Sequence, residues 1–474
     1  MVSIIGFITA MLLARFRTLS EYGTYSQVIM VADLVSSLLL LGIPNSINYF
    51  LAKADTPEQR RSFLSVYTTL STILSIIIGL CLYFAMPLII NHFKNPFIKD
   101  IAYVFAVYPW SSMFISSIGN VCVVYGKANR LVIFNIINAV AVLAVLCIAK
   151  IFDMTFHHYM LMYMGVLFIF AVIGIVWSRK LAGGLRISLD FAIIKNIFIF
   201  SIPIGLASMV GTISVHLNKL VIGYFFSTDE YAIFANAAKE LPFTMVSMSI
   251  TAVLLPQLVR MLKTGDHKGA VELWSHAIKI SLCFMCLVAA GMFVFAPDAL
   301  SFMYSEKYVT PGSIAIFRIY SCILIFRAIY WGIILNATGN TKFILYSSLI
   351  TLALNFVGNF AFFYILGFIG PAVSTIITSI FMCFVQLKFT TKLIKIPFKD
   401  IFPWKSMARL IIITIGLAVI FAIIKYVFLN DFPRSQSILI SVGLGVLWTL
   451  IYVLINLKFI KSSWRSLNAN KNAS

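Results

Sequence analysis

Charge is what this chain has least of. Only 11% of its residues are Asp, Glu, Lys or Arg, against 61% apolar residues and 42 phenylalanines. A water-soluble fold cannot hide that much apolar surface, so an all-α polytopic membrane protein is expected. Long polar stretches are missing too. The widest polar connections, about 178–196 and 390–406, are short and broken by apolar residues, which leaves no room for a soluble domain. Acids number 16 against 36 bases, a formal net charge of +20. That excess does not read as a nucleic-acid surface. Lys53, Arg60, Arg61, Lys127, Arg130, Arg179, Lys180, Lys263 and Lys268 all fall in one set of alternate loops, as membrane insertion requires, and no nucleic acid partner is expected. Metal and disulfide chemistry lack material as well. The seven cysteines all lie in apolar runs, so Cys283 and Cys286 read as small buried hydrophobes. His157 and His158 have no Cys or carboxylate cluster beside them to complete a metal site.

What is present is a series of apolar runs, at about 2–16, 24–51, 63–90, 101–125, 131–152, 159–177, 197–226, 231–258, 274–303, 312–338, 343–367, 370–390, 408–429 and 436–457. That makes fourteen transmembrane helices. Internal prolines (Pro44, Pro87, Pro109, Pro203, Pro242) predict kinks. The loop charges put both termini in the cytoplasm. Residues 387–404 space Lys388, Lys392, Lys395 and Lys399 among Phe and Ile, which suits either an amphipathic helix on the anionic inner leaflet or a basic loop.

The two halves repeat each other. Glu21-Tyr22-Gly23-Thr24-Tyr25 recurs as Glu230-Tyr231-Ala232-Ile233-Phe234, Leu41–Pro44 as Val253–Pro256, and Tyr125-Gly126-Lys127 as Thr338-Gly339-Asn340, at a shared offset. Two pseudo-symmetric six-helix lobes around a central cavity follow, with rocking of one against the other giving alternating access. The division is residues 1–180 for the first lobe, 181–196 for a cytoplasmic linker, 197–395 for the second lobe, and 396–474 for helices 13 and 14 and a tail.

Ala14-Arg15 with Glu21–Tyr25, Asn218-Lys219-Leu220-Val221-Ile222-Gly223 with Glu230-Tyr231, Leu335–Lys342, and Asn355 with Leu366–Ala372 together resemble the Wzx-type polysaccharide flippases. These belong to the multidrug/oligosaccharidyl-lipid/polysaccharide exporter superfamily. The resemblance runs over nearly the whole chain. It implies a transporter, not an enzyme, that moves undecaprenyl-diphosphate-linked oligosaccharide across the bacterial cytoplasmic membrane for surface polysaccharide such as O-antigen. Membrane lipids, a polysaccharide polymerase and chain-length machinery would be its partners, and a monomer is expected. That family often has an acid where this chain has Asn218, so any ion coupling must use another acid or none.

Seven charges inside apolar spans carry the chemistry: Arg15, Asp33, Lys219, Lys239, Glu240, Arg318 and Arg327. A charge in the hydrocarbon layer costs about 3 kcal/mol or more and commonly lines a pathway. Five basic groups against two acids suit an anionic cargo, and Arg grips a diphosphate with a fork of donors. Arg327, far from both ends of its span, has no snorkelling escape. Arg318 falls on nearly the opposite face of the same helix. Arg15 and Lys219, nearer the outer ends, owe their place to the family match. Asp33 and Glu240 are candidate ion-coupling acids or counter-ions, His216 a lesser candidate. No cofactor is expected beyond a proton or sodium ion. Asn236, Lys239, Glu240 and Phe243 form one polar stripe, Thr351, Asn355 and Asn359 a second, and Tyr320, Arg327 and Trp331 a shared face. The amides suit sugar hydroxyls or interhelical hydrogen bonding equally.

Three rivals remain. A cation-coupled multidrug exporter of the same fold handles mostly cationic substrates, against the sign of these charges. A lipid II flippase suits them. A membrane glycosyltransferase or polymerase would need acids in a sizeable external loop, and none is present.

Overall fold

Caps and prolines set the elements of the computed structural model, which describes residues 2–239, 241–328, 331–429 and 434–472. Among these residues all regular structure is helical: α1 (Val2–Phe16), α2 (Leu19–Leu39), α3 (Ile43–Lys53), α4 (Pro57–Phe93), α5 (Tyr103–Val124), α6 (Ala128–Ile151), α7 (Phe156–Leu181), α8 (Phe191–Phe225) and α9 (Thr228–Ala237). There follow α10 (Thr244–Lys263), α11 (His267–Val294), α12 (Ala296–Tyr304), α13 (Pro311–Phe326), α14 (Ile333–Ala337), α15 (Thr341–Leu366), α16 (Gly370–Ile394), α17 (Trp404–Leu429) and α18 (Arg434–Asn472).

Ten helical stretches among the described residues are long and apolar enough to cross a membrane, or up to eleven if α2 and α3, bent by 48°, form one span. Each of the fourteen expected runs meets a helix or a broken helix, yet the count of fourteen crossings does not emerge. α1 and α13 have only 15 and 16 residues, and residues 342–394 form one apolar stretch. The apolar residues face outward as well as inward. On α4, Ile76, Leu80, Phe84 and Leu88 are exposed, as on a helix whose solvent is lipid. The 37 residues of α4 reach about 55 Å, well beyond a hydrocarbon core of about 30 Å. The chain is a multi-pass membrane protein.

Two of the three repeated motifs prove to be helix punctuation. Thr18 and Glu21 close a capping box at the head of α2, and Ser227 and Glu230 exchange the same bonds at α9. The tyrosine after each Glu is buried. These two helix starts touch: a Cβ on Gly23 would lie 2.4 Å from the Thr228 carbonyl oxygen. Gly126 and Gly339 both adopt left-handed φ, 66° and 77°. Each is followed by an amide bonding five residues back, Lys127 to Cys122 and Asn340 to Leu335, as in a Schellman cap. The third pair diverges. Leu41 and Gly42 break the helix with φ of 45° and 72°, while α10 runs through Pro256.

Besides the α2–α3 bend and the α11–α12 junction, the eighth and tenth expected spans are interrupted. The eighth, expected to be continuous over 231–258, stops at Ala237 and restarts at Thr244. Pro242 lacks the N–H and clashes with the preceding turn. The stripe Asn236, Lys239, Glu240, Phe243 therefore does not lie on one helix, and Glu240 lies outside the described residues. The tenth ends at Phe326, with Arg327 as its cap, and resumes at Ile333. Tyr320, Arg327 and Trp331 consequently share no helical face.

The helices form two units, Met1–Ala235 and Asn236–Ser474. In the first, α8 packs on α2, α3 and α4. The segment before α8 is strapped to α4, the Arg186 and Ser188 amides donating to Ser65 Oγ (3.1 Å) and Thr69 Oγ1 (3.2 Å). At the α2–α3 bend, Gly205 meets Leu41 so closely that a Cβ would stand 2.1 Å from the Leu41 carbonyl carbon. In the second unit, α15 lies along α16, and α11 packs against α13, α17 and α18.

Candidate functional site

Asp33 sits in the second half of α2, fourteen residues beyond its first residue Leu19. Tyr108 of α5 donates to Asp33 Oδ1 at 2.9 Å. Lys219 of α8 lies within electrostatic reach of the same carboxylate. Both Asp33 and Lys219 are half-buried, so the attraction acts where water screens it poorly. The α2–α8 packing that brings them together rests on the Gly205–Leu41 contact. His216, one turn before Lys219, is half-buried, and its Nδ1 has no hydrogen-bond partner.

Toward the N-terminal end of α2 from Asp33 lies a group of tyrosines. Tyr25 and Tyr163 of α7 pack edge to face, with ring centroids 6.0 Å apart at 68°. Tyr163 stacks on Tyr159 at 6.2 Å. The Arg17 guanidinium lies 5.4 Å over the Tyr159 ring and donates to the Met154 carbonyl at 2.8 Å. Arg15, in the last turn of α1, is exposed. The structure thus joins two of the expected residues, Asp33 and Lys219, and surrounds them with tyrosines.

The second unit holds the other candidates. Arg318 lines an apolar groove of about 360 Å³ between α11, α13 and α17, beside Phe293, Cys322 and Ile415. Its Nε donates to the Phe293 carbonyl (3.1 Å) and its guanidinium stands 5.2 Å over that ring. Arg327 is exposed at the break after α13, not buried along a continuous helix. Trp331, in the same break, bonds the Phe326 carbonyl at 2.6 Å. Lys239 lies in the break after α9, and Asn236 is buried near its end. Asn355 donates to Thr378 Oγ1 of α16 (3.0 Å) and accepts from Asn359 (3.2 Å), so this stripe joins α15 to α16.

Sequence reasoning missed Tyr25, Tyr108 and Tyr163. The three come from three different helices, and no spacing within one helix pairs them. It also missed Asp298, which forms an ion pair with Lys425 of α17 and accepts from Ser437 of α18 at 3.3 Å. The rule that picked out Arg327, a charge inside an apolar run, applies equally to Lys425.

Residues 12–311 match the family model described as polysaccharide biosynthesis protein. A stretch of 53% of the chain is 22% identical to 50% of the probable lipid II flippase MurJ of Rickettsia prowazekii (strain Madrid E). A stretch of 32% is 26% identical to 38% of the capsular polysaccharide biosynthesis protein CapF of Staphylococcus aureus. The chain thus spans half or less of the length of these curated relatives. The solved lipid II flippase MurJ, in its inward closed conformation, superposes with a TM-score of 0.77 at 17% identity, covering 97% of this chain and 98% of that one. At that identity the likeness is one of fold.

Proposed function

The chain belongs to the polysaccharide biosynthesis protein family, and from that premise we propose that it flips undecaprenyl-diphosphate-linked oligosaccharide from the inner to the outer leaflet of the bacterial cytoplasmic membrane. The observation that carries this reading is the Lys219 ammonium, held within an apolar span and opposed by Asp33. A diphosphate is strongly anionic. It competes with Asp33 for the ammonium and replaces one neutralising partner by a better one. Arg15, Arg318, Arg327 and Lys239 are further candidate cations for the headgroup and its sugars, with Asn236 and Asn355 as amide donors. Asp33 is the coupling acid, and Glu240 remains a second candidate.

Both termini lie in the cytoplasm in this reading, following the basic loops. Movement of one unit against the other gives alternating access, while the polyprenyl tail stays in lipid. The protein makes and breaks no covalent bond. Polymerase and chain-length enzymes act on its product, and it works as a monomer. The lipid II flippases share the lipid-diphosphate and differ in glycan, so both substrates enter the test.

Deletion should leave undecaprenyl-linked repeat units inside the cell and remove surface polysaccharide. Lys219→Gln should reproduce the loss at normal protein abundance. Unchanged surface glycan in that variant would sink the role of Lys219. Rescue of a strain lacking its lipid II flippase, without any effect on surface glycan, would move the substrate to lipid II.

A further inference from the structure

We propose that one anionic phospholipid docks where α16 ends and α17 begins, its phosphate on Lys388 and Lys399 and one acyl chain in an apolar recess between α13, α16 and α17. This lipid is not the cargo, so the inference goes beyond the flippase reading. Only its leaflet follows from that reading: with both termini cytoplasmic, this end of the helices meets the inner leaflet.

The basic run at 387–404 is not one amphipathic helix. α16 continues to Ile394, Lys395 caps it with a left-handed φ of 55°, and a turn at 397–400 leads on to α17. Between residues 388 and 409, Lys388, Lys392, Lys395, Lys399, Lys405 and Arg409 are all exposed, against a single acid, Asp400. Loop charges that only set topology need no particular neighbour. These adjoin an aromatic rim. Phe384 and Phe398 are 49% and 39% exposed, with rings stacked at 6.4 Å, and Trp404 packs on both, at 6.5 and 5.2 Å. Lys388 follows Phe384 by one helical turn and Lys399 adjoins Phe398, so both lysines belong to this rim. Exposed rings beside lysines suit the level where lipid headgroups meet hydrocarbon.

Beside the rim is a recess of about 100 Å³, lined by Phe384 and Leu387 of α16, Trp404 and Met407 of α17, and Phe326 and Trp331 at the break after α13. Its indole N–H groups are already engaged, Trp331 with the Phe326 carbonyl at 2.6 Å and Trp404 with the Phe398 carbonyl at 3.0 Å. A water there would lack the two to four polar partners it needs, whereas an alkyl chain needs none. The recess and the lysines together fit a molecule that carries both an acyl chain and a negative charge. A free phosphate would leave the recess unused, and a neutral lipid would leave the lysines unused. A zwitterionic phospholipid brings its own cation toward the lysines and weakens the match.

The test measures lipid retention by the purified full chain in detergent, using native mass spectrometry with phosphatidylglycerol or phosphatidylcholine of the same acyl chains. Phosphatidylglycerol should be retained in preference. Lys388→Gln with Lys399→Gln should weaken its binding by about 30-fold, about fivefold for each lysine. Lys388→Arg with Lys399→Arg should keep it. Met407→Trp, which fills the recess and leaves every charge in place, should weaken both lipids. Lys263→Gln with Lys268→Gln, two exposed bases at the α10–α11 turn, should change neither. Equal retention of the two lipids by the wild type, or wild-type retention in the Lys388/Lys399 glutamine variant, would overturn the proposal. A loss of the same size in the Lys263/Lys268 variant would overturn it too, by reducing the effect to general surface charge. Displacement of phosphatidylglycerol by equimolar undecaprenyl diphosphate would reassign the recess to the cargo's tail and overturn it as well. The flippase reading stands or falls separately, on surface glycan.

Discussion

Asn95, at the end of α4, does three things with one side chain. Its Nδ2 donates to Thr24 Oγ1 (2.9 Å) and Gln27 Oε1 (2.8 Å), and its Oδ1 accepts from the Phe97 amide at 3.1 Å. It is 1% exposed. Asn95→Leu keeps the bulk and strands Gln27 and Thr24, at a cost of about 1–3 kcal/mol for unpaired buried groups. Thermal unfolding in detergent should show the loss. Asn95→Asp should be no better, because it sets a carboxylate against the Gln27 carbonyl oxygen. Nothing in the sequence announces Asn95, since its partners lie about seventy residues away. Lys219 and Asp33 could be read there because a charge among apolar residues is conspicuous in isolation. Arg327 misled for the same reason: depth was inferred from an unbroken run of apolar residues, and the helix stops at Phe326.

At the scale of elements, the repeat was legible because caps are local. A Thr or Ser with Glu three residues on writes a helix start wherever it occurs. The α2–α3 bend depends on a distant partner, Gly205, and was visible only as Pro44. Gly205→Val should lower the unfolding temperature by several degrees, since the contact is backbone against backbone and overpacking costs about 1–3 kcal/mol or more. Gly211→Ala on the same helix is the control. A Cβ there meets nothing within 4 Å, and stability should hold or rise. The Asp298–Lys425 pair ties α12 to α17, with Ser437 bringing in α18. Removing one partner of a buried pair costs about 3–5 kcal/mol. Asp298→Asn and Lys425→Met should therefore each destabilise, and the double variant should lose clearly less than the two together. Additive losses in a double-mutant cycle would show that the pair contributes no coupling.

At the scale of the whole molecule, composition alone revealed an all-helical membrane chain, because 61% apolar residues leave no other solution. The helix count was harder to read. Hydropathy marks apolar runs, and breaks such as 238–243 sit inside them. The partition of the chain was hardest, because packing decides it. The seventh run was assigned to the second lobe, and α8 packs with α2, α3 and α4 of the first unit.

The break after α9 has a genetic consequence. The boundary between units falls beside it, at Ala235 and Asn236, and residues 238 and 239 carry no helix that a cut would sever. The gene should therefore tolerate fission there. Two open reading frames, one ending near residue 239 and one restarting just after it, should restore surface polysaccharide when expressed together and fail singly. The same fission placed inside the strap at residues 186–188 should complement poorly, since it would separate α8 from the helices it is fastened to. Equal complementation at both sites would show that the strap is not what holds α8 in its unit.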